Sequence, residues 1–176
     1  MEGCFYGTIP ESYPLIIVKS RLKWVLFALV AAFSLLQLTN VGRTNPDVTP
    51  GHDLLSTNPP PQQITAILRG ACYDCHSYET RWPWYGYVAP VSWWLNSHVS
   101  DARDVLNFSE WPHTNAEKAA RKWTHISDEV REGDMPLPSY MKIHKAARLT
   151  EEQRNALADW AEQEATRLKA VATNSP

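Results

Sequence analysis

The chain has 176 residues, of which 44% are hydrophobic and 20% are charged, and its formal net charge is −2. This balance gives no electrostatic case for a nucleic-acid-binding protein, because basic residues form no extended stripe beyond one short cluster near the N-terminus. The three cysteines are an odd number and do not indicate a framework of disulfides.

An apolar run at residues 22–41 is the first predicted element. About 20 helical residues reach across the ~30 Å hydrocarbon core of a bilayer, so the run is predicted to be a transmembrane signal anchor. Lys19, Arg21 and Lys23 precede it, and this positive charge places the preceding segment in the cytoplasm and exports the chain beyond the run. No small-residue cleavage site comes after the run, which favours an anchor over a removed signal peptide.

Residues 1–21 carry no predicted domain. They are expected to be a cytoplasmic tail or the result of an over-extended start, because the charged region of an export signal normally opens a chain. Cys4 lies in this segment without a preceding apolar run and receives no role.

Residues 42–61 are rich in proline and polar side chains, and they predict an extended tether. The remaining domain, residues 62–172, is predicted to be all-α, since no stretch alternates between apolar and polar residues as a strand does. Four stretches have apolar residues at helical spacing: one begins just after Pro61, and the others cover about 90–106, about 115–132 and a C-terminal helix. Thr150 and Gln153 form a capping-box pattern at the start of the last one.

The sequence Cys72-Tyr73-Asp74-Cys75-His76 carries the most specific chemical signal in the chain. It matches the attachment signature of c-type haem. Two thiols at this spacing can bond to the two vinyl-derived carbons of a porphyrin, and the adjacent imidazole can reach the iron from the same side. The motif therefore predicts one covalent haem, with Cys72 and Cys75 as attachment residues and His76 as an iron ligand.

Three other interpretations of the motif compete with this one. A thioredoxin-like redox pair needs a βαβ setting, which this sequence does not predict. Half of a zinc site needs two further ligands, and the remaining histidines are too scattered to supply them. A plain disulfide between the two cysteines leaves the histidine and the aromatic residues after it unexplained.

Met135 is the predicted second axial ligand of the iron. It lies in the sequence EGDMPLPSY, where two prolines restrict the backbone and hold the sulfur with little ordering cost. Ligation by methionine and histidine raises the reduction potential of a haem relative to ligation by two histidines. The alternative is that Met135 fills a gap in the core. His98 is the best rival ligand, and Met141 is a weaker one.

The aromatic run RWPWYGYVAPVSWW comes soon after the motif. It is predicted to form the wall of the haem pocket, with Trp82 and Trp84 among the residues that contact the haem and Arg81 as the partner of a propionate. A solvated Arg81, ordinary core packing and an aromatic belt at a membrane surface are the alternatives.

Four stretches in order carry a resemblance to a known family: CYDCHSYETRWPWYGYVAPVSWW, LNFSEW, GDMPLPSY and ARLTEEQRNALADWA. Together, over about residues 40–168, they resemble the bacterial haem-binding domain family of small c-type cytochromes. The resemblance implies a small cytochrome c-like helical domain around a covalent haem, with Met135 in the family's Met-Pro element. Such proteins commonly follow an N-terminal anchor. With the charge bias around residues 22–41, this predicts a single-pass protein of the bacterial inner membrane whose C-terminal domain lies in the periplasm, where haems of this type are attached.

The leading hypothesis is therefore a membrane-anchored monohaem cytochrome that passes single electrons to redox partner proteins of the cell envelope. The alternative is a haem enzyme or a sensor of gases or peroxide, with an open sixth coordination site. A zinc- or disulfide-stapled interaction module is the third possibility. No acid–base pair or nucleophile is evident, so an electron carrier is favoured over an enzyme.

Overall fold

Residues 13–39 and 42–174 are described by the structure, a computed structural model. Every regular element in these two ranges is helical, which confirms the predicted all-α class. The α-helices are α1 (Tyr13–Leu36), α2 (Leu54–Thr57), α3 (Gln62–Ala71), α4 (Tyr73–His76), α5 (Val91–Val105), α6 (Ala116–Glu132), α7 (Pro138–Ile143) and α8 (Glu151–Asn174), and short 3-10 helices cover Trp84–Tyr87, Phe108–Glu110 and Lys145–Ala147.

The four helices predicted from apolar spacing correspond to α3, α5, α6 and α8. Two of them begin with a side-chain cap, of which that of α8 was predicted. Thr150 N donates to Gln153 Oε1 (3.0 Å) and Gln153 N donates to Thr150 Oγ1 (3.2 Å), so the predicted capping box of α8 is confirmed. Asn115 caps α6 by accepting a bond from Lys118 N (2.8 Å).

The core is centred on the packing of α6 against α8, with α3 alongside. Trp123 of α6 is completely buried, and its ring lies 4.7 Å from that of Trp160 in α8 and 4.8 Å from that of Trp111. Burial of such large apolar side chains is the main force that holds the helices together.

Part of the predicted tether belongs to this core. Leu54 of α2 is fully buried in the main hydrophobic cluster, and α2 packs against the 3-10 helix at Phe108–Glu110. The carbonyl oxygen of His52 accepts a bond from Trp111 N (2.9 Å). Residues 52–57 therefore stabilise the domain as well as lead into it.

The prediction of a transmembrane anchor at residues 22–41 is wrong, and with it the expected single-pass location in the inner membrane. Among the described residues, none of the helices combines the length and the apolar character that a membrane crossing requires. Lys19, Arg21 and Lys23 lie inside α1, which ends at Leu36. The uncharged part of the helix after Lys23 is thus about 20 Å long at 1.5 Å per residue, shorter than the ~30 Å core of a bilayer.

Residues 1–12, 40–41 and 175–176 lie outside the described residues. They include Cys4, most of the segment predicted to be a tail or an over-extended start, and the last two residues of the predicted anchor.

Candidate functional site

A tight helical turn brings the side chains of the Cys-x-x-Cys-His motif together. Cys72 caps the end of α3, where its N–H donates to Leu68 O (2.9 Å), and it also precedes α4. The carbonyl oxygen of Cys72 accepts bonds from Cys75 N (3.1 Å) and His76 N (2.9 Å). Residues three and four apart share one side of a helical turn, so the three side chains lie on a common face.

That face borders a cavity of about 360 Å³. Cys72, Cys75 and His76 line it, and so does Met135, which is far from them in the sequence. The volume is within the range of about 300–1,000 Å³ that is typical of pockets for small organic ligands. Most of the remaining wall is apolar and comes from α5, α6 and the connections after them: Ala102, Val105, Leu106, Phe108, Ile126, Val130, Pro136 and Leu137.

The His76 imidazole has a defined tautomer. Its Nδ1 atom lies 3.0 Å from the carbonyl oxygens of both Ala102 and Leu106. Carbonyl oxygens only accept hydrogen bonds, so Nδ1 carries the proton and Nε2 keeps a lone pair. Burial lowers the pKa of His76, which favours the neutral ring. This is the arrangement of a metal-binding histidine, whose other ring nitrogen is commonly held by a backbone carbonyl.

The two motif cysteines are free thiols. Burial is the main cause that raises the pKa of Cys72 to about 12 and that of Cys75 to about 11. Thiols with such values are protonated at neutral pH, unlike the thiolates of redox-active cysteine pairs. Within residues 13–39 and 42–174, no three or more histidine, cysteine or acidic side chains are grouped so that they could hold a metal ion. The structure thus favours neither the thioredoxin-like nor the zinc interpretation.

The end of α6 positions Met135. Gly133 ends the helix in the left-handed conformation, with φ +84°, which glycine adopts without steric cost. The carbonyl oxygen of Glu129 then accepts bonds from both Asp134 N and Met135 N (3.1 Å each). Met135 is half-buried and Pro136 is buried. The sulfur-bearing residue is therefore fixed by the helix terminus as well as by the neighbouring prolines.

Three residues predicted to contact a haem do not line the cavity: Arg81, Trp82 and Trp84. The guanidinium of Arg81 pairs with Asp74, with Nε to Oδ1 and Nη2 to Oδ2 both at 3.1 Å. Trp84 is 78% exposed. The aromatic run instead contacts the chain that leads away from α1: Trp93 Nε1 donates to Thr39 Oγ1 (3.0 Å), and the Arg43 guanidinium lies over the Tyr87 ring at 4.5 Å.

Other polar side chains that no sequence pattern predicted also border the cavity. Tyr140 donates to Asp74 Oδ2 (2.8 Å), and burial is the main cause that raises its pKa, so the phenol stays protonated. His125 and Glu129 line the cavity one helical turn apart in α6. Of the two rivals to Met135, His98 lines the cavity with its Nδ1 held 2.9 Å from Trp94 O, whereas Met141 does not. Only Tyr140 carried a usable signal, since it closes the GDMPLPSY motif.

Comparison with known proteins gives one match. The sequence model described as a haem-binding domain covers residues 31–163, about three quarters of the chain. Neither a curated protein nor a solved structure matches the chain.

Proposed function

This chain belongs to the haem-binding domain family, and we propose that it is a c-type cytochrome that holds one haem covalently and transfers single electrons. The observation that carries the proposal is the cavity, which gathers Cys72, Cys75, His76 and Met135 on one apolar space. The family supports haem binding, and the donor set supports the finer assignment.

The residues of the cavity fit such a group. Both thiols are free, and each S–H can add across one vinyl double bond, so that the sulfur gains a carbon and the proton moves to the neighbouring vinyl carbon. His76 offers the Nε2 lone pair to iron, because its Nδ1–H is engaged by Ala102 and Leu106. When bound, the haem supplies the one-electron redox chemistry of its iron.

The position of Met135 favours an electron carrier over a haem enzyme or sensor. A thioether ligand would fill the coordination site that a gas or peroxide needs, and it would raise the potential relative to two histidines. Apolar side chains of α5 and α6 would keep water from the group, which also tunes the potential. The partners of such a protein would be other redox proteins.

Covalent attachment is tested on the full chain produced in a host that has haem-maturation machinery. The denatured wild type and the Cys4→Ser control should retain the mass of one haem, whereas Cys72→Ser with Cys75→Ser should lose the covalent link. A colourless wild-type protein, or one whose haem dissociates on denaturation, would overturn the assignment.

Ligation by Met135 is tested by spectroscopy on the same protein. The oxidised wild type should show the thioether-to-iron charge-transfer band, and the reduced protein should not bind carbon monoxide at neutral pH. Met135→Ala should lose the band and, when reduced, bind carbon monoxide rapidly, whereas Met141→Ala should behave as wild type. Retention of the band in Met135→Ala would exclude Met135, and fast carbon monoxide binding by the wild type would favour the open-site enzyme or sensor.

A further inference from the structure

Two separate segments supply the four proposed haem-binding side chains. Residues 72–76 provide the cysteines and the histidine, and residues 133–143, which come directly after α6, provide Met135. One hydrogen bond connects them, from Tyr140 Oη to Asp74 Oδ2 (2.8 Å). In the part of the chain that the structure describes, it is the only hydrogen bond between these two segments.

The acceptor is held in place from its other side. Asp74 receives the Arg81 side chain through both of its oxygens at 3.1 Å, and the Arg81 N–H at 3.2 Å. The Asp74 side chain is only 13% exposed, whereas that of Arg81 is 74% exposed. The Asp74–Arg81 pair therefore orients a largely buried carboxylate toward Tyr140. In the sequence, this carboxylate lies between the two cysteines of the motif. A hydrogen bond to such an ionised acceptor is stronger than one between neutral groups.

The donor is also oriented. The Tyr140 ring stacks on His144, with centroids 3.9 Å apart and an interplanar angle of 15°. This contact fixes the ring within its own part of the chain but does not join it to residues 72–76. The phenol oxygen alone makes that connection.

After Pro136, which is buried, the segment has few other attachments. No residue of α7 is buried, and its carbonyl groups are bound locally by Arg148, which donates to Met141 O (2.6 Å) and Lys142 O (2.9 Å). Segments with little buried surface open at low free-energy cost. The loss of a single charge-assisted hydrogen bond is therefore a large perturbation for this part of the structure.

We propose that Asp74 and Tyr140 are positioning residues that latch the Met135 segment against the Cys-x-x-Cys-His segment. The latch acts on Met135 through the short stretch 136–139. It determines how often the Met135 segment, residues 133–143, moves away from the cavity. The consequence for iron ligation rests on the proposed function, whereas the latch between the two segments does not.

The test compares Tyr140→Phe with the wild type in the haem-loaded full chain. The substitution removes only the hydroxyl and keeps the stacking on His144. Hydrogen exchange of the amides of Met141 in α7 and of His144, which follows it, should accelerate about tenfold, because a bond to an ionised partner is lost. Tyr78→Phe is the matched control, since it removes a hydroxyl that donates to a carboxylate, Glu110, outside the cavity.

A second readout reports on the iron. Binding of added imidazole should accelerate by a similar factor in Tyr140→Phe and stay at the wild-type rate in Tyr78→Phe. If Tyr140→Phe does not fold, Asp74→Asn provides the same comparison. The acceleration should be smaller, because the amide oxygen of asparagine still accepts the Tyr140 bond and only the charge of the acceptor is lost. Unchanged α7 exchange in Tyr140→Phe, or an equal change in the control, would overturn the latch. A wild type without the thioether band would instead refute the proposed function, and the exchange comparison would still decide the latch.

Discussion

Leu54 offers a direct test of whether the segment before α3 is a tether or a part of the domain. Its side chain is 0% exposed and belongs to the main cluster. Truncation to alanine removes buried carbon atoms and leaves a cavity, which costs about 3 kcal/mol for a leucine in such a position. In a domain of this size, each kcal/mol shifts the midpoint of thermal unfolding by roughly 2–4 °C, so Leu54→Ala should lower it by about 6–12 °C.

The assay is thermal unfolding of the full chain, monitored by circular dichroism and supported by a denaturant titration. Leu38→Ala is the matched control, because that leucine is 78% exposed and its truncation should change the free energy of unfolding by less than about 0.5 kcal/mol. A loss in Leu54→Ala no larger than that of the control would refute the reasoning and return residues 52–57 to the tether.

Three further substitutions test single contacts. Arg103→Lys should lower the free energy of unfolding by about 1–3 kcal/mol. Lysine cannot reproduce the guanidinium bonds to Ser77 O (2.8 Å) and Thr80 Oγ1 (2.9 Å). A denaturant titration that shows no loss of stability would contradict this prediction. Gly133→Ala should cost about 1 kcal/mol, because φ +84° is unfavourable for a residue with a Cβ, and an unchanged thermal midpoint would argue against it. The bond from Arg167 lowers the pKa of Glu164 below 4.5, so its carboxylate stabilises the fold above that pH and the contribution is lost as the pH falls through the lowered value. Glu164→Gln should therefore flatten the acid limb of a stability–pH profile, and a limb as steep as that of the wild type would count against the pairing.

Sequence patterns predicted the parts of this fold that depend on local spacing. The apolar faces of α3 and α6 repeat at helical intervals, and the same residues are buried in the structure, including Ile64, Leu68 and Trp123. The turn that brings Cys72, Cys75 and His76 to one face is equally local, since these residues lie within five consecutive positions. Both kinds of signal arise within a few turns of chain, where neighbouring residues alone determine the geometry.

The incorrect anchor prediction and the residues that the structure places away from the cavity concern features that depend on distant contacts or on where an element stops. Hydropathy along residues 22–41 does not reveal that α1 ends at Leu36 and contains three cations. Proximity to His76 in the sequence predicts the aromatic run around the cavity, but the cavity wall comes from α5 and α6. Arg81 pairs with a carboxylate seven residues earlier in the chain, Asp74, so a propionate is not needed to explain its charge.

The end of α5 determines what the motif can do chemically. Two carbonyl oxygens at the end of α5 lie 3.0 Å from His76 Nδ1. One is that of Ala102 in the last turn, which also accepts the Leu106 N–H (2.9 Å), and the other is that of Leu106, the residue that follows the helix. They fix which ring nitrogen carries the proton. The negative end of the helix dipole also lies beside that N–H, which raises the basicity of the ring as a ligand. A five-residue motif supplies the imidazole, but a helix terminus 30 residues away in the chain selects its tautomer, so a shift in where α5 ends would change which ring nitrogen of His76 carries the proton without any change in the motif.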